Sequence, residues 1–414
     1  MKKNLSKRRN FIIFGENKMR EVVIVDYLRT PFSRSRPNDP NRDKLNEFRM
    51  DVLTARLIKT MVERNGIDKN EIGDVAVGAA FPVMEQWLYG SRPIIAMAGL
   101  PETIPGCAME RQCGSSMSTI HWGAMQIMTG YSDITISAGI EHMTHIPMAN
   151  NPYIDPPTFL AADPEYDNWD FGTGFVMGLT AEKLFKIAAK KFGLTREDLD
   201  RYSLESHELA VKAQDEGFFK DELLPIELAN GEIFDLDQAV RRNSTMEQMA
   251  KLMPSFDFEG VITPGNSSPL NAGATAMILM SKEKAKEYGI EPLATIKSMG
   301  WAAVNPGVMG LGPVPASQKA LKQAGLDEKD IDFWEINEAF AVVALNCIKE
   351  LGIDRKKVNV KGGAIAIGHP LGASGTRLVG TLARILNWED GRYGLANACV
   401  GGGQGVATIL EKGG

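Results

Sequence analysis

Apolar residues along this chain fall into two rhythms. Short runs dense in β-branched residues, at Val22–Val25, Asp74–Val77, Ile134–Ser137 and Val406–Leu410, have the unbroken apolar character of strands covered on both faces. Longer stretches repeat with the helical period: Asp51–Arg64 (Val52, Ala55, Leu57, Ile58 and Val62), Ser116–Met128, Ser317–Ala324 and Gly375–Leu386 (Leu378, Val379, Leu382 and Ile385). Thr195 stands three residues before Asp198. This is the pattern of a capping box, in which each side chain takes a backbone N–H left free at a helix start, and it opens a predicted helix over "REDLDRYSLESHELAVKAQ". Strands alternating with helices predict an α/β fold with covered sheets.

The alternation repeats itself. "GIDKNEIGDVAVGAA" from Gly66 is echoed by "GLDEKDIDFWEINEA" from Gly325, and "CGSSMSTIHWGAMQIMTGYSDITISAGI" by "GHPLGASGTRLVGTLARILNWEDGRYGLANACV". Gly114 pairs with Gly372 and Asp133 with Tyr393, at nearly constant offset. Two similarly folded halves follow. The first covers 19–141 and is completed by about 267–288, and the second covers 289–414. Between the parts of the first lies an insert, 142–266, richer in proline and charge, of the kind that forms a lid or binding domain. The basic segment 1–18 has too short an apolar part for a secretory leader and is expected to be a disordered extension.

The 414 residues carry a net charge of −6, which gives no support to a nucleic-acid partner, and no run is long enough to span a membrane. The four cysteines, Cys107, Cys113, Cys347 and Cys399, are scattered without disulfide-framework or zinc spacing, which fits a cytoplasmic, reducing environment. His142 and His145 are three apart in "EHMTHIP", but no third ligand is near in sequence, so no metal is expected. "GVMGLGP" lacks the dinucleotide-binding spacing.

Four short stretches carry candidate chemistry. Cys113 sits in the glycine-serine turn "QCGSSM" ahead of a helix, where free N–H groups and the helix dipole favour a thiolate. Gly114 beside it permits close approach of backbone or substrate. His369, in "GGAIAIGHPLGASGTR", occupies the corresponding loop of the second half, so the repeat could bring a base to the thiol. Cys399 precedes "VGGGQG", a source of backbone oxyanion donors. Asn337 and Glu338 lie where a strand stops among apolar neighbours, so they are paired or functional.

Together these stretches resemble the thiolase family. "CGS" at 113, "NEAF" at 337, "GHP" at 368 and "CVG" at 399 occur in the family's order, and the resemblance runs from Arg20 to Leu410. It implies two pseudo-symmetric α/β halves stacked as five layers, α-β-α-β-α, with an inserted loop domain. It implies an acyltransferase that interconverts 3-ketoacyl-CoA plus CoA with acetyl-CoA plus a shortened acyl-CoA, by a ping-pong route. Cys113 would carry the acyl group. His369 would activate it and help bind the thioester oxygen, Cys399 would be the general acid/base, and Asn337 would hold a water of one oxyanion hole. The N–H groups of Cys113 and Gly401 would form the other hole. Phe340 and Met177 would line the acyl pocket, Ser268 would contact pantetheine, and Arg241 the CoA nucleotide. Coenzyme A would be substrate and product, with no permanently bound cofactor. The partners implied are acyl-CoA, acetyl-CoA and CoA, a homodimer or homotetramer, and in some relatives a fatty-acid oxidation complex. "CGSSM", "EHMTHIPM" and "GQGVAT" are closest to bacterial degradative 3-ketoacyl-CoA thiolases; the alternatives are a short-chain acetoacetyl-CoA thiolase and a non-catalytic scaffold on the same fold. Pro269, Ala272 and Met253 depart from the common family pattern, all in the loop or CoA-facing region.

Overall fold

The computed structural model describes residues 19–149 and 151–413. The extension expected over 1–18 lies outside them. Among the described residues twelve strands form: β1 (Val22–Arg29), β2 (Ser33–Arg34), β3 (Ile72–Ala79), β4 (Gly106–Met109), β5 (Ile134–His142), β6 (Ile226–Glu227), β7 (Ile233–Phe234), β8 (Asn271–Ser281), β9 (Ala294–Ala303), β10 (Phe333–Ile336), β11 (Tyr393–Val400) and β12 (Gln404–Lys412).

The strand order displays the repeat. One half runs β1-β8-β5-β3-β4 and the other β9-β12-β11-β10, and the pairings follow the same sequence of senses. β1–β8 and β8–β5 are antiparallel and β5–β3 parallel; β9–β12 and β12–β11 are antiparallel and β11–β10 parallel. The halves touch edge to edge only where β1 meets β9, at Val23–Thr295 and Ile24–Ala294.

Three helical layers enclose the two half-sheets. The helix Met50–Arg64 covers the outer face of the first half and buries Leu53, Leu57, Ile58 and Met61 there. The helices Pro313–Ala324 and Ala341–Leu351 cover the outer face of the second. Between the half-sheets lie Ser115–Met128 and Ser374–Trp388, whose Met117, Ile120, Leu378 and Leu382 fill one shared core with Tyr27, Met277, Ala396 and Val406. Those two helices are apolar on most of their surface because sheet lies on both sides. Pro313–Ala324 starts earlier than the apolar period implied, because prolines fit the first turn, where no N–H partner is needed.

The chain leaves the first half at the end of β5 and returns to it at β8. The segment between holds the helices Met177–Phe192 and Arg196–Asp215 and the hairpin β6–β7. Thr195 and Asp198 form the reciprocal capping box expected of them. A fully buried arginine ties this segment to the core. Arg29 on β1 donates through Nε to Glu222 at 2.6 Å and through both terminal nitrogens to Asp237 at 2.7 and 3.0 Å. A buried fork with both carboxylates satisfied holds geometry strongly, since removing one partner strands an uncompensated charge.

Candidate active site

The two central helices meet at their N-terminal ends. Thr376 N–H donates to Ser116 Oγ at 2.9 Å, within the first turns of both. Cys113 lies in the tight turn Gln112–Gly114 that leads into one helix, and His369 just before the turn Leu371–Ala373 that leads into the other. Gln112 is held at φ +42, a left-handed conformation rare outside glycine, with its N–H and side-chain amide on Glu110. This strained residue fixes how Cys113 is presented. Cys113 packs with Leu371 of the His369 turn in one small apolar cluster. The close approach at Gly114 is to Val400 and Val406 of the second half, so that glycine serves the seam rather than an opening to solvent.

Glu141, at the end of β5, ties the turn Leu371–Ala373 to the residue that follows β3. Its Oε2 accepts N–H from Ala80 at 2.9 Å and from Gly372 at 2.9 Å, and its Oε1 accepts from Gln86. Burial pushes this carboxyl up to about 7 in spite of those donors.

Asn337 follows β10 and places its amide nitrogen 3.2 Å from His369 Nε2, while its Oδ1 is buried with no partner among the described residues. Such an orphaned acceptor suits a bound water. The other ring nitrogen, Nδ1, lies 2.5 Å from Ser374 Oγ. His369 N–H donates to Asn271 Oδ1 at 2.8 Å, and the Asn271 amide crosses to Ser33 O at 2.7 Å. Gly368 has φ +118, and a Cβ there would lie 2.7 Å from the Asn271 side chain, so glycine is required on both counts. Glu338 is buried and occupied by Tyr202, Ser206, Asn359 and the Ile365 N–H; its work is to anchor the turn.

Cys399 is the penultimate residue of β11, and Gly401 just beyond that strand donates its N–H to the Cys113 sulfur. Burial, and then the neighbouring Cys113, push the Cys399 thiol far above the ordinary range. The Cys113 thiol is also pushed up, to about 12, because burial outweighs the Gly401 hydrogen bond. This corrects the expected thiolate. Cys113 is only 6 % exposed, and a helix N-terminus does not offset the loss of water around a charged sulfur. Burial, with the nearby Arg377 charge, lowers His369 to about 3. At neutral pH the site therefore holds two protonated thiols and an uncharged imidazole.

The remaining expected residues divide into two groups. Ser268 N–H bonds Ala339 O at 3.0 Å, which sets Ser268 against the Asn337–Phe340 turn. Phe340 and Met177 share one apolar cluster, and Phe256 meets Phe340 edge to face. Arg241 makes no bond to any of these. It sits in a separate basic patch whose backbone is joined by Gln238, which accepts from Arg34 N–H at 2.8 Å and donates to Arg42 O at 2.9 Å. Burial and then the charges of Arg36, Arg241 and Arg42 press Arg34 down to about 10. Among the described residues, Arg34, Arg36 and Arg241 have no carboxylate in ion-pair range. Arg34 and Arg36 were signalled by "PFSRSRP", a basic pair just past the first strand. Asn271 and Glu141 carry no such signal, because their partners are remote in sequence, and Ser374 carries none because its contact with His369 depends on the shape of the turn between them. His142 and His145 stack at 3.6 Å, with His145 Nδ1 at 2.8 Å from Glu85, and no cluster of metal-ligating side chains occurs among the described residues.

Comparison with known families decides the kinship. The description "Thiolase, N-terminal domain" matches residues 22–283 and "Thiolase, C-terminal domain" matches 290–412. This chain belongs to the thiolase family. A 3-ketoacyl-CoA thiolase of Marinobacter nauticus is 41% identical over 402 residues, covering 95% of this chain and 98% of that one. Among solved structures, human mitochondrial 3-ketoacyl-CoA thiolase superimposes with a TM-score of 0.85 at 32% identity, over 96% of this chain and 100% of its own. The same human enzyme in complex with CoA gives 0.84 at 33% identity, over 96% and 99%. The Bacillus anthracis acetyl-CoA acetyltransferase gives 0.82 at 34%, over 96% and 100%. The five-layer thiolase fold expected from the sequence is thus the fold of this chain.

The polarity of this site makes a prediction about Cys113. Because the Cys113 thiol lies near 12, its thiolate fraction rises about tenfold per pH unit throughout the neutral and mildly alkaline range. Alkylation by iodoacetamide, followed at the Cys113 peptide by mass spectrometry, is expected to climb log-linearly from about pH 7 to about pH 9. A plateau below about pH 8 would mark a pre-formed thiolate.

Proposed function

We propose that this chain catalyses CoA-dependent cleavage of 3-ketoacyl-CoA to acetyl-CoA and a shortened acyl-CoA, and the reverse condensation, through an acyl group on Cys113. The observation that carries this reading is the convergence of Cys113 and the His369–Asn337 pair, from turns, with Cys399, from strand β11, where the two halves meet.

In the cleavage direction Cys113 sulfur attacks the keto carbon and its proton passes to His369 Nε2. The carbon–carbon bond breaks, and its electrons leave with the acetyl-CoA enolate, which takes the Cys399 proton. The thiol of CoA then attacks the acyl-Cys113 thioester and gives its proton to the Cys399 thiolate. Cys113 departs and recovers its proton from His369. Because the resting pair is neutral, proton transfer accompanies attack instead of preceding it. Developing oxyanions are held on one side by His369 and a water on Asn337, and on the other by the N–H groups of Cys113 and Gly401. Donors of this kind are commonly worth about 3–4 kcal/mol each.

The substrate's length is divided between the two outlying groups. Phe340 and Met177 line the acyl end and Ser268 meets pantetheine. Arg241, joined by Arg34 and Arg36, receives the CoA phosphates, for which unpaired arginines on the insert side are suited. We assign the segment 142–266 to this binding task. The free state of all four cysteines supports a cytoplasmic place. The unpaired outer edge of β4, beside exposed Trp87 and Tyr89, supports a homo-oligomer, and the 3-ketoacyl-CoA thiolase relatives support a place in fatty-acid β-oxidation, alone or in a multienzyme complex.

Two measurements test this. Wild-type protein is expected to cleave medium- and long-chain 3-ketoacyl-CoA, and C399S to form the acyl-enzyme yet turn over about 10²–10⁴-fold more slowly. Turnover confined to acetoacetyl-CoA identifies the short-chain reading, and unimpaired C399S removes Cys399 from the mechanism. R241A, and more strongly R34A/R241A, is expected to raise KM for CoA about tenfold or more with kcat within about twofold, since such contacts bind ground and transition states alike. An unchanged KM would place the nucleotide elsewhere.

A further inference from the structure

Ser374 is the buried hydroxyl that the chemistry above leaves without a task. It is the first residue of the helix Ser374–Trp388 and is 1 % exposed. Its Oγ touches two groups, His369 Nδ1 at 2.5 Å and the carbonyl oxygen of Pro370 at 2.8 Å. A carbonyl has no hydrogen to give, so the single hydroxyl proton goes to Pro370, and Oγ faces Nδ1 as an acceptor. Nδ1 must then carry the ring proton. With one proton on a neutral ring, Nε2 is left bare. On that side Asn337 presents its amide nitrogen, a donor, at 3.2 Å. Both neighbours of the ring thus select the same tautomer.

We propose that Ser374 is a positioning residue that locks His369 in the Nδ1-protonated form, with Nε2 free to take the Cys113 proton. The inference rests on the proposed role of His369 as the base. Its logic lies in a conflict between two demands on one atom. Nε2 must first be a bare acceptor for the thiol proton and then a donor to the thioester oxygen. A ring fixed at Nδ1 meets both in order, because the proton taken from Cys113 is the one later offered to the oxyanion. A ring protonated at Nε2 could donate but could not accept. The Ser374 oxygen also stabilises the imidazolium formed by that transfer, since it already accepts from Nδ1–H.

Gly372, in the turn that joins His369 to Ser374, is held by Glu141. The loop and the hydroxyl are therefore fixed by separate contacts, and loss of the hydroxyl alone leaves the Glu141 tether to the loop in place.

The test joins kinetics to a spectroscopic readout. In protein labelled with 15N histidine, with His369 assigned by its loss in H369N, the wild-type ring is expected to show a protonated Nδ1 and an unprotonated Nε2. In S374A this preference is expected to be lost. Acylation of Cys113 by acetyl-CoA should slow about 10–100-fold, with KM for the thioester within about twofold, and S374T should recover most of the rate. A wild-type ring protonated at Nε2 overturns the proposal even if S374A fails to fold. So does S374A acylating at the wild-type rate. H369A separates the two ideas: if it still acylates Cys113 normally, the base assignment fails, whereas the tautomer measurement judges Ser374 on its own.

Discussion

The meeting of two helix N-termini in the dry layer between the half-sheets is the constraint on which this molecule's chemistry depends. It follows from the duplication. Each half contributes a strand, a turn and a central helix, and the pseudo-symmetric packing sets the two turns against each other, bonded through Thr376 and Ser116. One turn brings a thiol and the other an imidazole. Because the meeting point is buried, neither is charged at rest: the thiol is pushed up and the imidazole down by the same loss of water. In the proposed mechanism negative charge arises at this point only during reaction, and the N–H groups of Cys113 and Gly401 would receive it.

Other buried polar groups serve that meeting. Glu141 takes one N–H from each side of the seam, Asn271 holds the His369 backbone, and Glu338 anchors the turn that carries Asn337. The Arg29 fork does the same at larger scale, fixing the insert against β1 and so placing the basic patch of Arg34, Arg36 and Arg241 relative to the core. Each is a fully satisfied polar contact in a place where an unsatisfied one would be costly, so each restricts the fold to one arrangement.

The sequence made the architecture legible because the repeat is an architectural fact. Matching "CGSSMSTI" with "GHPLGASG" across the chain predicts corresponding strand orders and puts Cys113 and His369 in corresponding turns. What it could not show is pairing at a distance. Glu141 reads as a charge beside two histidines, with nothing to mark its partners at Ala80 and Gly372. Ser374 stands only four and five residues from Pro370 and His369, yet it reads as one more small residue in a helix start until the folded turn sets its hydroxyl against the ring. The expectation of a thiolate at Cys113 failed for a related reason. Helix position is local and visible in the sequence, whereas burial is the product of the whole fold, and here burial is the larger effect.

The proposed chemistry turns on Cys113 as the residue that carries the acyl group. Peptide mapping by mass spectrometry, after brief exposure of the intact enzyme to acetyl-CoA without an acceptor, tests it most directly. One acetyl group is expected, on the peptide containing Cys113, absent from C113A and released as acetyl-CoA when CoA is added. Acetylation mapped to Cys399 instead, or an adduct that persists in C113A, would contradict it.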